Sequence, residues 1–241
     1  MPYLLPAMKK PFLHADPTNF ICCILLATSY IGASTAAQAA APDFDRPFQF
    51  SLNLSNADIN LKSDLAEHNV NLDRIAISVF SQADPRLQLG FVTGSSYLTL
   101  DNDPPSAGMS LNGYHAGLAM RSRWGSNPQL GVHARYLYQD TRNETATQTV
   151  VLSWHEWTAG ISATLLLGGQ LELRAGWAHH EVDARRRATG NINETRRLEL
   201  AASGQGLLGL AWRTISGGHM GVRLLGGDYR QVEFRFAQTF R

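Results

Sequence analysis

The chain has 241 residues and a formal net charge of +1 at pH 7, with 44% apolar and 17% charged residues. That length suits one domain or one barrel, and the near-neutral charge excludes the broad basic field that nucleic-acid binding uses. After the N-terminal segment no apolar run approaches the roughly 18 residues that a transmembrane helix needs.

The N-terminus reads as an export signal. Met8-Lys9-Lys10 is a positive start, Phe20 to Ala33 an apolar run, and Ala37-Gln38-Ala39 a small-residue cleavage box. The expected division is a signal peptide over 1–39 and a mature chain over 40–241. Loss of the signal takes Lys+Arg from 21 to 19 and Asp+Glu from 20 to 19, so the mature chain is neutral. It also removes both cysteines, Cys22 and Cys23. A disulfide scaffold, a thiol nucleophile and a cysteine metal site are thereby excluded.

The body alternates. In chain order, period-two patterning predicts strands over about 48–55, 70–81, 87–99, 113–124, 130–139, 149–167, 171–180, 198–213, 219–225 and 229–240. It is plainest at Leu130, Val132, Ala134, Tyr136 and Tyr138, and at Leu171, Leu173, Ala175 and Trp177. No segment sustains a 3.6-residue period, so no helix is expected after the signal.

Four connections, Gln82–Arg86, Gly125–Gln129, Gly168–Gln170 and Thr214–Gly218, are short and rich in turn residues. Between them lie longer polar segments, Asn56–Asn69, Leu100–Asn112, Asp140–Gln148 and Glu181–Arg197, which read as loops. Only Gly226-Gly227-Asp228 breaks the alternation of short and long. Tight turns at one end, long loops at the other and alternating segments of ~10 residues are the layout of a transmembrane β-barrel. The expected fold is all-β: a closed antiparallel up-and-down barrel of about 10 strands, with 8 also possible, and both chain ends on the periplasmic side.

The alternation has one face almost free of charge. The other carries Arg121, Arg123, Arg135, Glu156, Glu172, Arg174, Glu199, Arg213, Arg223, Glu233 and Arg235. A lipid-facing barrel puts such residues inside, where Arg and carboxylate pair as planar, two-bonded partners. A soluble periplasmic barrel that binds a hydrophobic ligand would put them outside. Aromatics at strand ends favour the membrane: Phe48, Trp124, Trp212 and Phe240 toward one rim, Tyr138 and Trp177 toward the other.

With its signal segment, alternating strands and aromatic last strand, the mature chain resembles small bacterial outer-membrane β-barrel proteins of eight to ten strands, with the architecture of the OmpA membrane domain. The resemblance implies residence in the Gram-negative outer membrane and contact with its lipid and lipopolysaccharide. It also implies escort by periplasmic chaperones and recognition by the barrel-assembly machinery. Val232, Phe234, Phe236 and Phe240 match the assembly signal of that family, and Arg241 departs from its usual terminal Phe.

The expected role is non-enzymatic: structural, narrow-pore or surface-contacting, with no cofactor, metal or nucleic acid. The inward charges read either as a plug of ion pairs or as the lining of an anion-favouring pore. Arg185, Arg186, Arg187, Arg196 and Arg197, in the expected 181–197 loop, are candidates for lipopolysaccharide phosphates. The alternative of a hydrolase at the barrel rim rests on His179, His180, Glu181 and Asp183.

Overall fold

A computed structural model describes residues 48–101 and 103–240. The signal peptide over 1–39, and the cleavage expected after Ala39, lie outside the described residues. The described chain forms β1 (Phe48–Lys62), β2 (Glu67–Asp84), β3 (Leu87–Asp101), β4 (Ser110–Trp124), β5 (Gln129–Glu144), β6 (Gln148–Leu167), β7 (Leu171–Gly190), β8 (Glu194–Leu200), β9 (Gly204–Arg213), β10 (Gly218–Gly226) and β11 (Tyr229–Phe240). A short 3-10 turn, Pro104–Ser106, lies between β3 and β4. All pairings are antiparallel, and β11 pairs with β1 from Phe48↔Phe240 to Ile59↔Tyr229, so the sheet closes on itself.

β8 and β9 share one place beside β7, which pairs with β9 over Leu171–His179 and with β8 over Asp183–Ala188. Around the periplasmic half the ring is therefore ten strands. Beyond the β10–β11 turn, β8 meets β1 directly at Leu61↔Leu200 and Lys62↔Glu199. Backbone bonds from Asn60 N to Asp228 O and from Ala201 N to Asn60 O, both 3.0 Å, seal the junction. The ring thus narrows from ten strands to eight, and both expected counts have a place in one barrel.

The four short turns fall where expected. Of the expected long loops, Leu100–Asn112 is trimmed only at its ends, by β3 to Asp101 and β4 from Ser110, whereas the other three are largely strand. Asn56–Lys62, Glu67–Asn69, Asp140–Glu144 and Glu181–Gly190 are strand. The reason is a change of phase. In β1 the apolar residues Phe48, Phe50, Leu52 and Leu54 face out, whereas Ala57, Ile59 and Leu61 face in and are buried. In β2 Val70 and Leu72 face in, Arg74 sits at the change, and Ile75, Ile77 and Val79 face out. β6 repeats this with Val150, Leu152 and Trp154 inside and Trp157 and Ile161 outside. The β1–β2 ladder is unbroken from Phe48↔Ser81 to Lys62↔Glu67, so no bulge makes the switch. Even positions of β1 face out and odd positions face in along its whole length, and only the polarity of the residues placed there is exchanged.

Each half then follows the rule of its solvent. In the periplasmic half the wall is apolar outside and polar inside, as lipid requires. In the outer half it is polar outside and apolar inside, as in a water-soluble barrel. The apolar belt on β6 runs over Trp157–Leu167, and its eleven residues span about 28 Å at ~3.3 Å each and ~40° tilt, close to the ~25 Å band of such barrels. Phe48, Trp124, Trp212 and Phe240 mark its lower edge and Tyr114, Trp157 and Trp177 its upper part, all between 41% and 58% exposed. Those rings suit the headgroup levels.

Candidate functional site: the lumen

Inward-facing side chains lie in three tiers. The lowest belongs to the periplasmic end. There Gln49, Gln88, Arg121, Arg123, Arg213, His219 and Arg235 surround a small gap. Arg121 donates through Nε to Gln88 Oε1 at 2.6 Å and through Nη2 to Gln49, and Arg235 Nη2 donates to Gln49 Oε1 at 3.2 Å. Arg213 pairs with Glu172, and His219 Nε2 lies 3.3 Å from the other oxygen of that carboxylate.

Above this girdle is a chamber of about 140 Å³ whose lining includes Arg74, His115, Arg135, Arg174, Arg223 and Glu233. Its roof is a network centred on Glu156, which is fully buried. Arg74 Nη2 donates to Glu156 Oε2 at 2.7 Å, Arg135 Nη2 to Oε1 at 2.8 Å, and His180 Nε2 is 3.2 Å from Oε1. Arg74 also donates twice to Gln139 Oε1, at 2.9 and 2.7 Å, and once to Tyr229 Oη at 3.3 Å. The Tyr229 ring stacks on His180 with centroids 3.9 Å apart. A Cβ on Gly94 would lie 2.9 Å from the His115 ring and closer still to Ile75 O, so glycine makes room there for the imidazole that Ser96 Oγ contacts at 2.9 Å.

The third tier is apolar. Ile59, Leu61, Val70, Leu72, Leu98, Leu111, Val150, Leu152, Trp154, Val182 and Leu198 are at most 2% exposed and form one cluster with Tyr229 at its base. An eight-strand ring leaves room for side chains and little else, and here they fill it. A polar cap closes the far end: Arg186 pairs with Asp103 and donates through Nη2 to Glu194 Oε2 at 2.6 Å, and Arg196 also pairs with Glu194.

Ten of the eleven lumen candidates face inward. Arg135–Glu156, Arg213–Glu172 and Arg223–Glu233 form ion pairs, the last at 2.7 Å. Arg174 Nε donates to Thr164 Oγ1 at 3.2 Å, and Arg123 reaches Gln129 at 3.5 Å. Glu199 is the exception. It lies on the outer surface of β8 beside Arg197, 3.1 Å away, because the strand expected over 198–213 breaks at residues 201–203 and its phase changes there.

The arginine candidates divide. Arg185, Arg187 and Arg197 face outward, but Arg186 is buried and Arg196 points into the cap, since β7 and β8 are strands and alternate sides. The same alternation separates the rim cluster. His180 lies in the lumen, while His179, Glu181 and Asp183 are on the exterior, so the wall stands between the parts of the expected hydrolase site. Val232, Phe234, Phe236 and Phe240 line the outward face of β11. Arg74, the hub of the roof, escaped the sequence reading because it interrupts an apolar run at the phase change.

No protein-family model matches the chain, and no curated protein matches it in sequence. Solved structures do match its fold. The translocator domain of the autotransporter NalP from Neisseria meningitidis superimposes with a TM-score of 0.51 at 9% identity, over 93% of this chain and 95% of that one. The fold is that of an outer-membrane β-barrel. Two further outer-membrane barrels are similar: the β domain of the Bordetella autotransporter Brka, with TM-score 0.49, 13% identity and coverage of 81% and 100%, and an outer-membrane channel from Pseudomonas putida F1, with TM-score 0.48, 10% identity and coverage of 87% and 100%. At these identities the likeness concerns the fold. The apolar belt of this outer-membrane barrel agrees with a place in the bacterial outer membrane, in contact with its lipid.

Proposed function

We propose that this outer-membrane barrel is a non-enzymatic envelope protein with a sealed lumen, whose polar outer half projects from the membrane into the lipopolysaccharide layer. The observation that carries the reading is the apolar tier: buried side chains of β1, β2, β3, β4, β6, β7 and β8 meet across the narrowed ring. Such packing is as dense as a protein core and excludes water and ions. Protein reconstituted into planar bilayers is expected to pass no resolvable single-channel current, even at high protein load. Stepwise conductance that scales with insertion events would overturn the sealed lumen and restore the narrow pore.

The surface role rests on Arg185, Arg187 and Arg197, which stand on the exterior of β7 and β8 beyond the apolar belt. Arg185 is register-paired with Arg197, so the two cations stand side by side on adjacent strands. Asp183 and Glu199 hold Arg197, and Arg185 and Arg187 project beside it, in reach of sugar phosphates. Replacing all three by Gln is expected to weaken binding of purified lipopolysaccharide by about tenfold, by loss of charge-assisted phosphate bonds. Unchanged affinity in a correctly folded triple variant would remove this part of the reading. Outward apolar positions on β11 are the proposed signal for the assembly machinery.

A further inference from the structure

On the exterior of β5, β6 and β7, at the upper edge of the apolar belt, outward side chains stand in register-paired rows. The first row is Tyr136, Trp157 and Glu181, and the second Tyr138, His155 and Asp183. The third is Asp140, Ser153 and Arg185, with Arg197 beside Arg185 on β8. Successive rows are two residues apart, about 6.6 Å along a strand. Away from the membrane the surface thus passes from aromatic rings, through an imidazole and carboxylates, to guanidinium groups.

The two lower rows are joined to each other. The Tyr136 and Trp157 rings have centroids 4.6 Å apart, and the Tyr138 and His155 rings 5.3 Å apart. Tyr136 Oη meets His155 Nδ1 at 2.6 Å, which holds both rings and leaves Nε2 of the exposed imidazole to a ligand. Glu181 is exposed beside Trp157, and no cation pairs with it among the described residues. A bare phosphate is repelled by such a carboxylate. A sugar is not. Its hydroxyls donate charge-assisted hydrogen bonds to a carboxylate, and the slightly positive C–H face of a pyranose suits the negative face of an aromatic ring. One ligand satisfies every row: a sugar ring against Trp157 and Tyr136, its hydroxyls on Glu181 and His155, its phosphate on Arg185 and Arg187. Acyl chains would continue down the belt past Ile161, which is outward on the same strand as Trp157.

We propose that this exterior surface of β5, β6 and β7 is a glycolipid-headgroup site that takes the phosphorylated sugar of lipopolysaccharide by its ring as well as by its phosphate. The site rests on the phosphate contact proposed above for Arg185, Arg187 and Arg197. It adds selectivity, because arginines alone would accept any anionic lipid.

The test is titration of immobilised, folded mature protein in detergent micelles with purified lipopolysaccharide and, separately, with phosphatidylglycerol, an anionic lipid without a sugar. Wild type is expected to bind lipopolysaccharide the more tightly. Glu181→Gln and Trp157→Leu are each expected to lower lipopolysaccharide affinity by about fivefold, and neither lowers phosphatidylglycerol affinity. The sign at Glu181 is decisive, since removing an acid near arginines strengthens binding that is only electrostatic. Boiling-dependent gel mobility checks the folding of each variant, and two variants are used so that a folding failure in one does not end the test. Equal affinity of wild type for the two lipids would overturn the proposal. Lipopolysaccharide affinity undiminished in the folded Glu181 and Trp157 variants, while the triple arginine change still weakens it, would overturn the sugar site and leave the phosphate contact standing. Unchanged affinity in the triple arginine variant would instead remove the phosphate contact, and the sugar site with it.

Discussion

Replacing Glu156 by Gln is expected to lower the stability of the barrel by about 3–5 kcal/mol, the range for removing one partner of a buried ion pair. Glu156 is inaccessible to solvent and is the common acceptor for Arg74 and Arg135, at 2.7 and 2.8 Å, with His180 at 3.2 Å. Neutralising it leaves two guanidinium groups together in the lumen with no carboxylate between them. The measurement is the folded fraction in phospholipid vesicles across a denaturant series, read by boiling-dependent mobility. A companion Arg74→Gln change in the same chain removes one of the stranded charges and is expected to recover part of the loss, since residues in one network are not additive. If Glu156→Gln unfolds within 1 kcal/mol of wild type (a shift about the size of an ordinary hydrogen bond), the network does not hold the roof.

The second large effect tests the change of phase. Ile161 lies mid-belt on β6, outward and 61% exposed. Ile161→Arg places a charge against lipid and is expected to destabilise the barrel by about 2–4 kcal/mol, the range for Arg at the bilayer midplane of such barrels. Ser153 points outward from the same strand eight residues earlier, in the outer half. Ser153→Arg is expected to cost no more than about 1 kcal/mol, the size of the hydrogen bond that Ser153 Oγ donates to Asp140 Oδ1 at 2.6 Å. Two outward positions on one strand should thus respond differently to the same substitution, because one meets hydrocarbon and the other water. Similar responses at both sites would mean that the belt does not end near Trp157.

Much of the barrel was legible along the chain. Period-two patterning located every strand of the belt, and the tight turns at residues 85–86, 125–128, 168–170 and 214–217 carry the Gly, Pro, Asn and Ser that such turns require. The outer half was misread for a definite reason. In Phe48-Gln49-Phe50 the apolar residues fall on even positions, and in Ala57-Asp58-Ile59 on odd ones. A search for one continuous apolar face stops at Leu54 and takes Asn56 onward for a loop. The signal was present, but as a shift of phase with the period kept. Reading it would have placed Glu181–Gly190 in a strand and divided Arg185, Arg186 and Arg187 between its faces.

By itself, then, the sequence determined the strand period, the turn positions and the inward set of charges in the lipid-spanning half, because each depends on residues within about ten positions of one another. Only the tertiary structure decided the closure of β11 on β1, the narrowing of the ring where β8 meets β1, and the meeting of Arg74, Glu156 and His180 from three strands. Those arrangements follow from register and from the number of strands around the ring. The narrowing also decides what the interior is: at eight strands inward apolar side chains meet across the ring, and at ten the inward side chains, which are largely polar there, leave a chamber whose lining includes arginines.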